Sequence, residues 1–386
     1  MSAARIERLR VGPFREGAFT SRLHSERLAA LLGVALGVSF SVCFATGLLS
    51  HLIQQPPGWF HWPARPAGLY RVTQGVHIAT GIAAVPLLLA KLWTVFPKLW
   101  AWPPVESVLH GLERVALVPL VAGSVFLLFS GVANIARWYP YPFFFTSTHY
   151  WVAWLTMGAL LVHIGAKLPI TREALSRRAG RTPEPPGEGL SRRGLLAWVG
   201  ATAGLLTLGT VGETLRPFSR LSVLAPRRPD VGAQGLPVNT SSHAAGVRDV
   251  ASDPAWRFVV EGRVQTPLSL TLDELRAMPP REAVLPISCV EGWSASARWK
   301  GVPVSEVLRR AGARPGATAV VESLQRDSTY ARSSLNRSHA QDLDTLLAYE
   351  LNGETLDLDH GYPLRLIGPN RPGVMQTKWL HRMVVT

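Results

Sequence analysis

The stretch LPISCVEGWSASARWKGVPVSEVL, residues 285–308, decides how the C-terminal third of the chain is interpreted. It places a single cysteine, Cys289, between two short apolar segments, and an amphipathic segment follows. The chain has one other cysteine, Cys43, inside a long apolar run. Two cysteines so far apart predict no disulfide framework, and Cys43 is expected to pack as a small apolar residue. The function therefore depends on what the rest of the chain brings to Cys289.

Long runs without Lys, Arg, Asp or Glu divide the first half of the chain. Each run has at least 19 residues, and a helix needs roughly 20 apolar residues to cross a bilayer. The runs cover residues 28–50, 72–90, 115–136, 138–166 and 194–212. After about residue 213 no such run recurs. The sequence therefore predicts a multidomain protein, in which an α-helical membrane bundle of four helices and a fifth anchoring helix precede an α+β domain.

The net charge is +14, and the cations of the first half of the chain cluster in two segments. Cations crowd the chain before the first run and between the fourth and fifth runs, whereas the loops at 51–71 and 137–147 carry very few. Because positive residues mark the cytoplasmic side, this predicts a cytoplasmic N-terminus and a C-terminal domain on the opposite side of the membrane. The predicted partner is the lipid bilayer, and no interleaved basic and aromatic surface indicates nucleic acid.

These patterns divide the chain into consecutive parts. The segment SRRGLLAWVGATAGLLTLGTVG, residues 191–212, has the features of a twin-arginine export signal, which would anchor an exported domain that already carries its cofactor. The alternative is that the two arginines only follow the charge rule. The predicted parts are a basic cytoplasmic arm (1–27), a four-helix membrane domain (20–168), a cytoplasmic linker (169–193), the twin-arginine-like helix (191–212), a periplasmic tether (213–253) and the α+β domain (254–386).

Alternating apolar residues indicate the elements of the α+β domain. The stretch WRFVVEGRVQTPLSLTLDEL predicts a strand, a turn at Gly262, a second strand and the start of a helix. Residues 302–312 predict a helix that ends at Gly312. The stretches TAVVESL, YPLRLIG and WLHRMVVT predict three further strands.

The fourth run carries two histidines at a helical spacing. In HYWVAWLTMGALLVHIGAKL, His149 and His163 lie 14 residues apart, so both imidazoles share nearly one helix face, roughly 21 Å apart along the axis. Ionisable residues inside a membrane are costly and mostly functional, and this pattern predicts ligation of one haem in each leaflet. Depth alone does not decide which residues supply the second imidazoles. The candidates are His77 and His51 on the outer side and His24 and His110 on the inner side.

The stretch RLHSERLAALLGVALGVSFSVCFATGLLSH resembles the first helix of the di-haem cytochrome b subunits of formate dehydrogenases and hydrogenases. The resemblance covers about residues 20–168 and implies two b-type haems that exchange electrons with the quinone or quinol pool. Carried over by position, it implies that His24 pairs with His163 on the inner side and His77 with His149 on the outer side. Ser25 follows the first of these histidines, where the family often has Trp.

A lone cysteine after an apolar strand has several interpretations. Without a second cysteine in the α+β domain, Cys289 is not expected to belong to a zinc ribbon or an iron–sulfur cluster. It could be a buried thiol, a nucleophile, or a thiolate ligand of a metal whose other ligands come from a cofactor. The residues around it decide between these.

Residues 254–386 resemble the molybdenum-cofactor domain of the sulfite oxidase superfamily, through SCVEGWSASARWKGVPVSEVL, LNGETLDLDHGYPLRLIGP and KWLHRMVV. The resemblance implies a sulfite oxidase-type fold in which Cys289 is the one protein thiolate on molybdenum. A His or Asn five residues before an Arg, and a Lys shortly afterwards, anchor the pterin in that family. The implied cofactor-binding residues are His360, Arg365 and Lys378, with Gln376 and Thr377 beside the lysine and Ser323 and Asn239 as further contacts.

The motif CVEGW is similar to the catalytic subunit of the periplasmic methionine sulfoxide reductase. His360 stands where that reductase has Asn, and here the membrane domain is fused in front. The resemblances imply a bacterial inner-membrane enzyme with a periplasmic C-terminal domain. They imply oxygen-atom transfer on a small periplasmic substrate, with sulfoxide or N-oxide reduction slightly favoured over sulfite-type oxidation. An alternative is an electron-transfer subunit whose molybdopterin-type domain is a cofactor-free docking module, and another is a transporter or sensor. Four cations could line an anionic pocket or be surface charges: Arg298, Lys300, Arg326 and Arg332.

Overall fold

The computed structural model describes most of the chain, namely residues 12–15, 18–101, 103, 105–176, 189–211, 221–225, 227–228, 231–326 and 328–386. The predicted cytoplasmic arm, linker and tether lie partly outside these described residues. The chain divides into two compact units. The helical unit is Met1–Gly47 with Val76–Gly209, and the sheet unit is Leu48–Gly75 with Thr210–Thr386.

Five long helices account for the apolar runs. They are α1 (Glu26–Gln54), α2 (Leu69–Leu99), α3 (Val108–Ile135), α4 (Phe145–Ser176) and α5 (Arg192–Val211). By length and composition, each is long and apolar enough to cross a membrane. The fourth charge-free run begins at residue 138, whereas α4 begins only at Phe145. Pro140 and Pro142 lie in between, and a proline disfavours the helical conformation in the residue before it.

The sheet unit contains two sheets of five strands among its described residues. The first sheet has the order β2 (Leu268–Leu270), β1 (Phe258–Gly262), β10 (Leu380–Val385), β5 (Ala319–Ser323) and β6 (Arg332–Leu335). The second has the order β3 (Arg281–Ser288), β4 (Ser294–Pro303), β7 (Leu346–Leu351) and β8 (Glu354–Thr355), with β9 (Arg365–Ile367) also paired to β7. The short helices are α6 (Arg248–Ala251), α7 (Leu272–Arg276), α8 (Val304–Arg310) and α9 (Arg337–Gln341).

Two apolar clusters form the core of the sheet unit. One gathers Phe258, Val260 and Val302, and the other gathers Trp299 and Leu346, all with 0% exposed surface. Burial of this kind contributes roughly 25 cal/mol per Å² of apolar surface. The second cluster includes Cys289, which follows β3 directly.

The predicted α+β elements are confirmed in the sheet unit. The turn falls at Gly262, whose φ of +94° suits a glycine. A capping box between Thr271 and Glu274 starts α7. Helix α8 ends before Gly312, which has a φ of +69°. Local turn and cap chemistry therefore agrees with the strand pattern along this stretch.

Two further segments belong to the sheet unit. Residues 231–253, assigned to a tether by the sequence, pack against it, with Leu236 and Val247 each 1% exposed. The loop between α1 and α2, residues 55–68, lies in the same unit. Neither segment carries a strand pattern.

Candidate functional site

The motif CVEGW forms the turn of the β3–β4 hairpin. Ser288 pairs with Ser294 at the end of the ladder, and the Cys289 amide donates to the Trp293 carbonyl at 2.9 Å. Gly292 has a φ of +95°, a conformation that favours glycine. The Trp293 indole donates to Glu291 at 3.1 Å. The turn therefore explains why this motif needs its Glu, Gly and Trp together.

Cys289 is 1% exposed, and the Asn239 side-chain amide donates to its Sγ at 3.1 Å. Burial, reinforced by the negative charge of Glu291, raises the pKa of the Cys289 thiol to about 12. The hydrogen bond from Asn239 acts in the opposite direction, because it stabilises a thiolate. A metal ion at the sulfur would supply the positive charge that this environment lacks.

A cavity of about 120 Å³ lies beside this hairpin. Ile287 and Trp293 flank Cys289 in the chain and line it. All seven residues predicted to bind the cofactor also line it: Asn239, Ser323, His360, Arg365, Gln376, Thr377 and Lys378. The structure therefore brings together residues that lie far apart in the sequence.

Arg365 is a buried cation without a carboxylate partner in the hydrogen bonds it makes. It is 5% exposed and lies over the Trp299 ring, with 5.3 Å from guanidinium carbon to ring centre. One of its nitrogens donates to the His360 carbonyl at 3.1 Å, and its Nε has no hydrogen-bond partner. Burial lowers the pKa of Arg365 to about 9. A bound anion would relieve this cost.

Lys378 is the second cation of the cavity. Its Nζ donates to the carbonyls of Thr240 and Asp359 at 2.6 and 2.8 Å and lies 4.7 Å from the centre of the Trp379 ring. Burial first, and then the charge of Arg365, lower the pKa of Lys378 to about 7. Both cations are thus held in place by neutral groups.

His360 presents a neutral imidazole to the cavity. Its Nε2 donates to the Ala233 carbonyl at 2.7 Å, which leaves Nδ1 as an acceptor. Burial and the nearby Arg365 lower the pKa of His360 to about 4. Ala233 belongs to the segment that the sequence assigned to a tether.

The other three predicted residues are partly occupied by protein contacts. The Ser323 hydroxyl donates to the Lys378 carbonyl at 2.8 Å, and the Thr377 hydroxyl bonds that of Ser333 at 2.7 Å. The Gln376 side-chain NH₂ donates to two carbonyls, whereas its buried Oε1 has no partner. Ser323 and Thr377 therefore shape the cavity, and Gln376 keeps an acceptor free.

The donor set fits an anionic, polar cofactor. No Asp or Glu is among the described residues that line the cavity, whereas two cations are. Arg365 Nε and Gln376 Oε1 are a buried donor and a buried acceptor without partners. Buried polar groups are nearly always satisfied, so these atoms indicate a ligand. A pterin with a phosphate group matches this need for acceptors and negative charge.

The four cations that could have lined an anionic pocket lie elsewhere. None of Arg298, Lys300, Arg326 and Arg332 is among the residues that line the cavity. Lys300 pairs with Glu350 at 3.1 Å, because it lies on an outer face of β4.

The sequence analysis missed Trp299 as a residue of the site. Ala295, Ala297 and Trp299 are buried in alternation, which is the pattern of a buried strand face. The ion pair of Arg227 with Glu291, at 3.4 Å, left no signal in the sequence.

Three histidines of the helical unit share one arrangement. Nδ1 of His24, His77 and His149 lies 3.2, 2.8 and 2.9 Å from Thr94 O, Cys43 O and Ser130 Oγ, respectively. When Nδ1 donates to such an acceptor, Nε2 keeps a lone pair for a metal. This is the tautomer that ligates iron.

His163 and His110 differ from these three. His163 Nδ1 is buried without a hydrogen-bond partner. His110 Nδ1 accepts from the Glu106 amide at 3.2 Å, so its proton sits on Nε2 instead.

A Cβ on Gly47 would lie 2.8 Å from His77, so this glycine makes room for the imidazole. Among the described residues, no three His, Cys, Asp or Glu side chains gather as a metal site.

One family model and several known proteins match this chain. Residues 244–386 match the family model described as oxidoreductase molybdopterin binding domain. The "Putative protein-methionine-sulfoxide reductase subunit YedZ1" of Azospira oryzae is 34% identical over 164 residues, 42% of this chain and 61% of that protein. Nitrate reductase [NADH] 1 of Arabidopsis thaliana is 33% identical over 34% of this chain and 18% of its own length.

Mitochondrial sulfite oxidase of Drosophila melanogaster is 33% identical over 30% of this chain and 25% of that protein. The chain thus spans less than two thirds of the length of each of these relatives. These proteins are named as oxidases or reductases, and the segment that the family model matches contains Cys289 and most of the cavity. Residues 244–386 are therefore a molybdopterin-binding oxidoreductase domain.

Proposed function

We propose that the protein is a membrane-anchored molybdenum oxidoreductase of the bacterial inner membrane. It performs oxygen-atom transfer on a small periplasmic substrate, and b-type haems pass electrons to or from the quinone pool. The observation that carries this proposal is the cavity beside Cys289, which holds two cations without a carboxylate among its described lining residues. This observation favours a cofactor-loaded enzyme over a cofactor-free docking module.

Each cavity residue has a role in this proposal. Cys289 supplies the thiolate, and Asn239 donates to that sulfur. Arg365 and Lys378 hold the negatively charged part of the cofactor, and His360 offers Nδ1 as an acceptor. When bound, the molybdenum group supplies a two-electron redox centre. The protein supplies ligation, orientation and charge compensation.

Sulfoxide or N-oxide reduction is the direction we favour. Reduction of a sulfoxide consumes two electrons and two protons and releases a thioether and water. The turn CVEGW and the likeness to a protein named as a sulfoxide reductase subunit support this direction. Sulfite-type oxidation, which releases two electrons, is the reverse use of the same cavity.

Four histidines would hold the two haems in this proposal. His24 would pair with His163, and His77 with His149. Nδ1 contacts with neighbouring oxygen atoms at three of them support metal ligation through Nε2. The haems supply one-electron transfer, which links a two-electron reaction to quinone. The five apolar helices and the distribution of cations support the membrane location.

Metal and haem analysis of the full-length, detergent-solubilised protein tests the proposal. We expect about one molybdenum and two b-type haems per chain. Cys289→Ser should lose molybdenum or its redox activity and retain haem, because the thiolate is specific to the sheet unit. Ser296→Ala, at an exposed position on β4, is the matched control and should retain both. Haem without molybdenum in the wild type would favour the docking module. The absence of both molybdenum and haem would refute the proposal.

A further inference from the structure

Asn370 uses all four of its hydrogen-bonding groups on the α1–α2 loop and the first turn of α2. Its amide donates to Ala67 O at 2.9 Å, and its carbonyl accepts from the Trp62 indole at 2.9 Å. Its side-chain Oδ1 accepts from the Tyr70 amide at 2.7 Å, and its Nδ2 donates to Pro63 O at 2.7 Å. Asn370 is 1% exposed. One residue of the sheet unit therefore fastens a segment that lies about 300 positions earlier in the chain.

Further contacts hold the same loop. The Ala64 amide donates to Ser338 Oγ at 2.9 Å, and Asn336 Nδ2 donates to Trp62 O at 2.8 Å. Arg65 bonds both carboxylate oxygens of Asp342, at 2.8 and 3.0 Å. Such bidentate geometry is specific, although an exposed ion pair contributes little stability.

Apolar packing completes the attachment. Tyr70 and Ile53 are buried against Met375, and Trp62 and Val374 pack at the edge of this cluster. Tyr70 is 1% exposed, so its side chain behaves as a core residue of the sheet unit. The loop therefore has polar and apolar contacts to residues 370–375.

The segment that begins at Asn370 also forms a wall of the cofactor cavity. Its members among the lining residues are Gly373, Val374, Gln376, Thr377, Lys378 and Trp379. Pro372 forms a β-bridge with Ser288, the residue before Cys289. One face of this segment thus meets the α1–α2 loop, and other residues of it meet the cavity.

We propose that the α1–α2 loop is a positioning element of the molybdopterin site, acting through Asn370 on residues 372–378. The loop touches none of the predicted cofactor ligands in its hydrogen bonds, so its effect is indirect. Displacing residues 372–378 would move Gln376 and Lys378 relative to the cofactor. The proposal rests on the molybdenum site proposed above and does not depend on the haems.

Two pairs of variants test this proposal in the full-length, detergent-solubilised protein. Asn370→Gly removes two of the four bonds while tolerating the φ of +54° at this position. Its matched control is Asn352→Gly, an exposed asparagine with a φ of +53° and two side-chain hydrogen bonds of its own. Trp62→Phe removes one bond from the side of the loop, and Trp59→Phe, at a 73% exposed position on the same loop, is its control.

The readouts are molybdenum content, the Mo(V) electron paramagnetic resonance spectrum after partial reduction with dithionite, and the midpoint potential of the molybdenum couple. Asn370→Gly should retain molybdenum but change the spectrum and shift the potential, and Trp62→Phe should do so to a smaller extent. Both controls should match the wild type. Molybdenum with an unchanged spectrum and potential in Asn370→Gly and Trp62→Phe would overturn this proposal alone. Absence of molybdenum from the wild type would overturn the proposed function and this proposal with it.

Discussion

The candidate cofactor residues of the two units are held in different ways. In the sheet unit, Asn239, His360 and Lys378 come from separate segments to one cavity, and no Asp or Glu is among its described lining residues, which include two buried cations. In the helical unit, His77 and His149 are each fixed locally by an acceptor at Nδ1. A buried charge without a hydrogen-bonded carboxylate is suited to an anionic ligand, whereas an acceptor at Nδ1 leaves Nε2 able to bind a metal.

The largest expected effect comes from removing the buried charge of the sheet unit. Arg365→Met should lower cofactor retention about 10- to 100-fold, because a charge-assisted contact is lost. The cofactor-free protein should instead gain about 1 kcal/mol of unfolding free energy, since an uncompensated charge leaves the core. Molybdenum analysis and thermal unfolding of both forms measure this.

A surface arginine provides the control for that experiment. Arg309→Met removes an exposed ion pair with Glu306 and should change stability by less than about 1 kcal/mol. It should leave molybdenum unchanged. Full molybdenum content in Arg365→Met would show that the buried cation does not hold the cofactor.

The local arrangement in the helical unit makes a different prediction. His149→Ala should remove about half of the b-haem absorbance, because one of two irons loses an axial ligand. His110→Ala should retain all of it, since the His110 tautomer is the wrong one for ligation through Nε2. Reduced-minus-oxidised spectra measure both, and His243→Ala, at an exposed position, is a control. Equal losses in His110→Ala and His149→Ala would contradict the assignment.

His360 should make the stability of the cofactor-free protein depend on pH in the acidic range. Its pKa is about 4 in the folded protein, so between pH 6.5 and 4 the unfolded chain binds a proton that folded His360 does not. Stability of the cofactor-free protein should therefore fall as the pH is lowered through this range, by roughly 3 kcal/mol at most from this group. His360→Asn should remove that part of the pH dependence. Identical curves of melting temperature against pH for both proteins would refute it.

The smallest effect is expected from the cations that do not line the cavity. Lys300→Met and Arg332→Gln break partly exposed ion pairs with Glu350 and Glu322, worth about 0–1 kcal/mol each. Molybdenum content and the Mo(V) spectrum should stay the same. A changed spectrum in either variant would place that cation near the cofactor after all.

The sequence predicts those features that leave a local pattern. Charge-free runs and alternation predicted the long helices and five of the ten described strands, namely β1, β2, β5, β9 and β10, and glycines marked the turns at Gly262 and Gly312. The charge-free run did not mark the start of α4 at Phe145, because the run begins at residue 138 and continues through two prolines that carry no charge. Where local chemistry and hydropathy disagree, the local chemistry decides the end of a helix.

The site was predictable only in part, for a physical reason. Cys289 and the residues that line the cavity were singled out by resemblance, because no spacing in the chain connects Asn239 with Lys378. The stacking of Arg365 on Trp299 and the attachment of Trp62 to Asn370 depend on contacts across the fold. Contacts at such sequence separation leave no period that a single sequence can show.

The attachment at Asn370 bears on how the catalytic part could be produced as a soluble fragment. A truncation that begins after α5 would discard the α1–α2 loop, leaving Asn370 to bond water and exposing Met375 and Val374. Such a fragment would expose an aggregation-prone apolar surface beside its cofactor pocket. Residues 55–70 could be grafted onto its N-terminus through a flexible linker or added as a peptide. Either addition should make the fragment less prone to aggregation than the bare domain.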